Sequence, residues 1–156
     1  MASRDLAGLR PSTAPGRGDR QDGGVPASLS HVTISASDFE ASLAFYDAAL
    51  GALGLVRAAE FGDEEEQHAD VEAAGWGPAD AAPLVWLVAA DAVTRGAHLS
   101  LRAGSRAEVE AFYAAALRAG GQAHNAPRRW AIFRRGDFNA VVGDPDGNRI
   151  EAVAAE

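Results

Sequence analysis

His31 and His98 are the residues of this chain whose type and spacing best suit chemistry. Each sits in a short alternating run, "SHVTIS" and "AHLSLR", and they lie 67 residues apart. Alternation sends Val32 and Ile34 to one face of the first run and His31, Thr33 and Ser35 to the other. In the second run Leu99 and Leu101 oppose His98, Ser100 and Arg102. The final apolar run, "NRIEAVAA", gives Ile150, Ala152 and Ala154 to the packed face and so sends Glu151 to the face of the histidines. A carboxylate flanked by Ile150 and Ala152 needs a partner to be buried there, and a cation is the obvious one. Two imidazoles and a carboxylate make a donor set suited to a divalent transition metal.

The rest of the composition narrows the chemistry. There is no cysteine, which excludes disulfides, thiolate ligands and a cysteine nucleophile. All 14 basic residues are arginine, so lysine Schiff-base chemistry is also excluded. A net charge of −8 repels phosphate backbones and argues against nucleic acid or an anionic membrane as partner. No apolar run approaches the roughly 18 residues that suggest a bilayer span. With no apolar leader-like run at the start, a cytoplasmic protein is expected.

The elements that must position the histidines are written twice. "AFYDAAL" (Ala44 to Leu50) returns as "AFYAAAL" (Ala111 to Leu117), at the spacing that separates the histidines and also Gly54 from Gly121. Each copy follows its histidine strand and reads as a helix. Ser37 or Asp38 is the expected N-cap of the first, with Phe39, Leu43, Tyr46, Leu50 and Leu53 as its apolar stripe. Ser105 and Glu108 form a capping box for the second, whose apolar side is Val109, Phe112, Tyr113, Ala116 and Leu117 and whose stop is Gly120. "LVRAAEF" and "PLVWLVAA" read as strands, and "GDEEEQHAD" as a solvated loop containing His68. His124 reads as a strand-end residue, with proton transfer as the functional alternative for it and for His68. "FNAVVGDPDGNRIEAV" is two strands joined by a hairpin turn. The chain is thus a duplicated β-α-β-β-β unit, each copy too small to bury its own helix and sheet alone. Residues 1–28 are rich in Gly, Pro, Arg and Ser and read as a mobile tail. One domain is expected over 29–156, with modules at about 29–92 and 96–156.

"SHVTISASDFEASLAFYDAALGALGL", "AHLSLRAGSRAEVEAFYAAALRAGG" and "DPDGNRIEAV", in that order, resemble the vicinal oxygen chelate superfamily. It includes glyoxalase I, bleomycin-resistance proteins, extradiol dioxygenases, fosfomycin-resistance transferases and methylmalonyl-CoA epimerases. The resemblance covers residues 29–156. It implies an α+β fold of two paired βαβββ modules, curled as an eight-stranded mixed sheet around a metal and substrate cup, with the helices outside. It also implies one divalent ion (Fe, Mn, Zn, Ni or Co) held by His31, His98 and Glu151, Glu151 doubling as the catalytic residue. Aligning "WLVAAD" with "EAVAAE" places Trp86 where many members carry a fourth ligand. Indole has no lone pair to give a metal, so Trp86 is expected to wall the substrate cup. Arg129, in "PRRW", is the candidate to clamp a substrate anion; charge balance on an acidic surface is the other use of Arg128, Arg129, Arg134 and Arg135.

The implied function is metal-dependent chemistry on a small substrate chelated through vicinal oxygens. Oxygenase or lyase/addition chemistry is favoured over glyoxalase I isomerisation, because the fourth ligand is absent. The rival function is metal-free sequestration of an aromatic drug or metabolite, as in bleomycin-resistance proteins, for which Trp86 and Trp130 are suited but the His31, His98 and Glu151 trio is unnecessary. A homodimer is expected, with the modules pairing within one chain or between two.

Overall fold

The computed structural model describes residues 27–61, 72–129 and 137–155. The expected tail up to residue 26, the His68 loop, Trp130, Arg134 and Arg135 lie outside the described residues. Helix α1 runs Phe39–Gly51, capped by Asp38, whose Oδ1 accepts from Ala41 N at 3.0 Å. Helix α2 runs Arg106–Arg118, capped by Ser105, whose Oγ accepts from Glu108 N at 3.2 Å. Glu108 reaches back to Gly104 N at 2.7 Å, one residue beyond the usual reach of a capping box. The buried arc of α1 is Ser42, Phe45, Tyr46, Ala49 and Leu50; Phe39, Leu43 and Leu53 are only partly buried. That arc departs from the expected stripe because α1 packs on α2 as well as on its own sheet.

Module one carries β1 (Val32–Ala36), β2 (Val56–Phe61), β3 (Ala73–Gly77) and β4 (Val85–Ala89). Module two carries β5 (His98–Arg102), β6 (Gln122–Arg129), β7 (Phe138–Gly143) and β8 (Arg149–Ala154). Each module forms a mixed sheet of the same order, β1-β4-β3-β2 and β5-β8-β7-β6. β1 and β5 lie parallel to β4 and β8, and the remaining pairs are antiparallel. The α+β fold and the duplication are as the sequence implies. One curled eight-stranded sheet is not observed: among the described residues the strands close into two four-stranded ladders, each within its module. What joins the modules is side-chain packing. α1 and α2 lie against each other, and Phe45, Tyr46, Leu50, Val109, Phe112 and Ile150 belong to one shared core.

A buried polar knot adds direction to that packing. The turn between β7 and β8 is closed by Gly147 N to Asp144 O at 3.1 Å, with Gly147 at φ +86°, a left-handed conformation that favours glycine. Asp144 Oδ1 accepts from Asp146 N (3.0 Å) and Asn148 N (2.7 Å), and its Oδ2 accepts from Asn148 Nδ2 (2.8 Å) and from Tyr46 Oη in α1 (2.8 Å). Asp146 accepts from Ser37 N (2.9 Å) and Ser37 Oγ (2.6 Å). Asn148 fastens the linker, accepting from Ala97 N at 3.0 Å and donating to Thr94 O at 2.9 Å. A hairpin turn of module two is therefore bolted to the first helix of module one.

Burial, then the charge of Asp144 and the hydrogen bond to it, then the charge of Asp146, hold the Tyr46 hydroxyl well above its ordinary range. The folded state keeps this proton where the unfolded chain releases it, so the resulting stability is full below pH ~10 and is lost as pH rises beyond. With two tyrosines and no lysine, few other side chains titrate there. Tyr46→Phe is expected to cost about 1–3 kcal/mol at neutral pH and to flatten the alkaline loss of stability. Urea unfolding at neutral pH and above pH ~10 measures both, and an equally steep alkaline limb in the variant would exclude Tyr46 as its source.

Candidate functional site

Core residues fix which way each strand faces. In β8, Ile150, Ala152 and Ala154 are buried, so Arg149, Glu151 and Val153 take the open face. In β4, Val85 and Leu87 are buried and Trp86 takes the open face. Register makes Trp86 and Glu151 counterparts: Trp86 lies beside Thr33 and Glu151 beside Ser100, equivalent positions of β1 and β5.

On the open face of module two, His98 and Glu151 meet. His98 Nε2 is 3.2 Å from Glu151 Oε2, and Asn139 Nδ2 in β7 donates to Glu151 Oε1 at 2.6 Å. The Glu151 side chain is only 13% exposed, so these partners offset its desolvation; that of His98 is 48% exposed and faces solvent. Asn139 thereby fixes the carboxylate with Oε2 toward the imidazole. Beside the pair opens a cleft of about 270 Å³ lined by His98, His124, Asn125, Val141 and Arg149. Asn139, Asn125 and Arg149 were not singled out in the sequence. For Arg149, the signal was its place two residues before Glu151 on the same strand face.

His31 does not join them. It precedes β1, is exposed, and its Nδ1 lies 3.3 Å from Ser30 Oγ. Among the described residues no group of three His, Asp or Glu stands close enough to hold a metal ion. Within one chain the expected trio is thus a pair, and two donors do not complete a divalent centre. Trp86 lies on the other module, where its ring stacks on Phe61 (centroids 5.8 Å, 16° between planes). A Cβ at Gly75 would come within 3.1 Å of Trp86 Cδ2, so the glycine lets the indole lie close against β3. Arg129 ends β6 opposite Phe138 and is exposed; it is not among the residues lining the cleft.

Duplicated βαβββ modules with a His–Glu pair on an open sheet face define a chain of the glyoxalase kind. The family model for the Glyoxalase/Bleomycin resistance protein/Dioxygenase superfamily matches residues 28–152, and the chain belongs to that superfamily. Its members include enzymes, bind small molecules and often depend on a metal. The chain is similar to the crystal structure of a glyoxalase/bleomycin resistance protein from Albidiferax ferrireducens (27% identity, TM-score 0.58, covering 81% of this chain and 97% of that one). A glyoxylase/bleomycin resistance protein/dioxygenase domain from Frankia is similar in fold (14% identity, TM-score 0.61, 85% and 100% covered). So is glyoxalase I from Zea mays (22% identity, TM-score 0.60), where the match spans 86% of this chain and 48% of that one. No curated protein matches the chain significantly. No helix among the described residues is long and apolar enough to cross a membrane.

Proposed function

We propose that this chain is a small-molecule enzyme of the glyoxalase/dioxygenase kind whose reacting centre is the His98–Glu151 pair. The observation that carries this reading is the Glu151 carboxylate, largely buried, held at one oxygen by Asn139 and at the other by His98, which itself lines an open cleft. A carboxylate fixed in this way can take a proton from a carbon beside the oxygens of a bound substrate, and return it. Asn139 orients it, and His98 stabilises the charge on Oε2. The metal-dependent form of the reading, with His31, His98 and Glu151 as ligands of one divalent ion, calls for His31 from a second copy of the chain, and so for a homodimer. Bound there, such an ion would supply Lewis-acid stabilisation of a substrate's neighbouring oxygens. Trp86 and Arg129 remain substrate-binding candidates, Trp86 through the module-one face that would then adjoin the pair.

A second reading is sequestration of a flat ligand without chemistry. The Phe61–Trp86 stack favours it, because an aromatic wall on an open sheet face suits such a ligand. Elemental analysis of untagged protein, with light scattering, separates the two. The expected result is a dimer with roughly one divalent transition metal per chain, lost in His98→Ala and also in His31→Ala. Full metal content in both variants would remove these histidines from any metal site. No metal in the wild type after incubation with Mn²⁺, Zn²⁺, Ni²⁺, Co²⁺ or Fe²⁺ would remove the metal-dependent form and favour the sequestering protein.

A further inference from the structure

The two modules build one backbone position and use it differently. β6 carries a bulge between Ala123 and Asn125: Ala123 pairs with Val142 and Asn125 with Val141, leaving His124 as the extra residue. β2 carries its counterpart between Arg57 and Ala59, where the extra residue is Ala58. A bulge re-aims the side chain it carries, and bulges recur beside functional sites. In module two the re-aimed side chain is an imidazole, and it lines the cleft. The neighbouring glycine makes room for it. A Cβ at Gly143 would stand 3.0 Å from His124 Nε2 and 3.2 Å from His124 Cδ2. At the counterpart, Gly77, the same space is filled by the backbone of Ala82 and Pro83.

Arg149 shows the same asymmetry. It pairs in register with His98, and both line the cleft, whereas Leu84 is the counterpart beside His31, where Val32 N donates to Leu84 O. In this acidic chain Arg57 is committed to Asp47 and Glu60, and Arg95 to Asp146. The Arg149 guanidinium has no hydrogen-bond or ion-pair partner among the described residues, although Glu151 stands two residues along the same face. The side chains of His124 and Asn125 are likewise without a hydrogen-bond partner there. A guanidinium, an imidazole and a carboxamide thus line one small cleft with their donors uncommitted, beside His98 of the His98–Glu151 pair. Nothing in the fold requires this, since module one makes the same sheet with Ala58, Ala59 and Leu84 at the corresponding places.

We propose that Arg149, His124 and Asn125 form an anion seat, and that the small molecule taken at this site carries a carboxylate that docks there while its reacting carbon faces Glu151. The inference rests on the His98–Glu151 pair being the reacting centre. The Arg149 fork offers two parallel N–H donors to a carboxylate, Asn125 a third, and His124 a fourth from its bulge. The seat also supplies positive charge beside Glu151, without which an anionic substrate would be repelled from the pair.

Benzoate and its neutral isostere benzamide test the seat in the full-length protein, by ¹H–¹⁵N spectra of the Asn125 side-chain amide and the Arg149 Nε–H. Benzoate is expected to shift both signals saturably and benzamide to leave them nearly in place. Arg149→Gln should weaken benzoate at least about tenfold, with Arg149→Lys intermediate. Gly143→Ala, which crowds the His124 ring, should also weaken it, while Arg118→Gln on α2 should not. Equal shifts by benzoate and benzamide, or an unchanged benzoate affinity in a folded Arg149→Gln variant, would overturn the seat. Glu151→Gln keeps the two readings apart: it should bind benzoate at least as tightly as wild type while losing metal. Wild-type metal content in Glu151→Gln, with benzoate binding intact, would bring down the metal-dependent form of the reacting centre and leave the seat standing; loss of benzoate binding in that variant would overturn the seat.

Discussion

Asp144→Ala is expected to cost about 3–5 kcal/mol of folding stability, the largest effect of any single substitution outside the apolar core. Asp144 is 1% exposed, and its two oxygens accept four hydrogen bonds, from Tyr46 Oη, Asp146 N, Asn148 N and Asn148 Nδ2. Alanine would leave all four donors without this acceptor in a place where water enters poorly, and the turn would lose the contact that orients Asn148. Because Tyr46 belongs to module one, the damage would reach the docking of the modules as well as the hairpin. Thermal unfolding should fall by roughly 10 °C, and Asp144→Asn, which keeps one acceptor, should lose less. A change of under about 1 kcal/mol would show that the modules are held by their apolar core alone.

If the proposed metal-dependent centre holds, Glu151→Ala is expected to lower divalent-metal affinity by about a hundredfold or more, as the loss of a ligand would exceed the usual cost of losing its support. It also strands Asn139 Nδ2 and His98 Nε2, whose shared partner is the carboxylate. The opposite change should follow at the counterpart position. Trp86→Glu places a second carboxylate where register sets Trp86 equivalent to Glu151, and should tighten metal binding while removing the stack on Phe61. Competition against a chromogenic chelator reads both. Affinities equal to wild type in the two variants would remove these strand positions from any metal centre.

Much of this fold was legible because duplication exposes itself at fixed spacing, and because Asp38, Ser105 and the Asp-Pro-Asp-Gly turn each carry a local mechanism. β3 was not legible as a strand. Its sequence, Ala-Ala-Gly-Trp-Gly, is buried at all five residues, so it has no alternation, and its glycines and alanines are poor strand formers. β6 was hidden for the opposite reason: it is polar, mostly exposed and interrupted by a bulge. Alternation placed Glu151 on the face of His98, and the two do meet. It could not reveal that Asn139 completes the carboxylate's shell, because that contact depends on cross-strand register between β7 and β8. Nor could it set His31 beside His98. Equivalence in a repeat fixes which face a residue takes within its own sheet, whereas closeness between sheets depends on how the modules dock. Here docking runs through α1, α2 and the Asp144 turn, and among the described residues the sheets stay separate.

Anomalous diffraction from crystals of the untagged protein grown with Mn²⁺ or Zn²⁺ tests the reacting centre most directly. The expected result is one strong peak per chain, about 2.0–2.2 Å from a ring nitrogen of His98 and at similar distance from a carboxylate oxygen of Glu151, with His31 of a second chain completing the shell. No peak at His98 and Glu151 under saturating metal, or a peak held by other residues, would contradict the assignment of this pair as the metal-dependent centre.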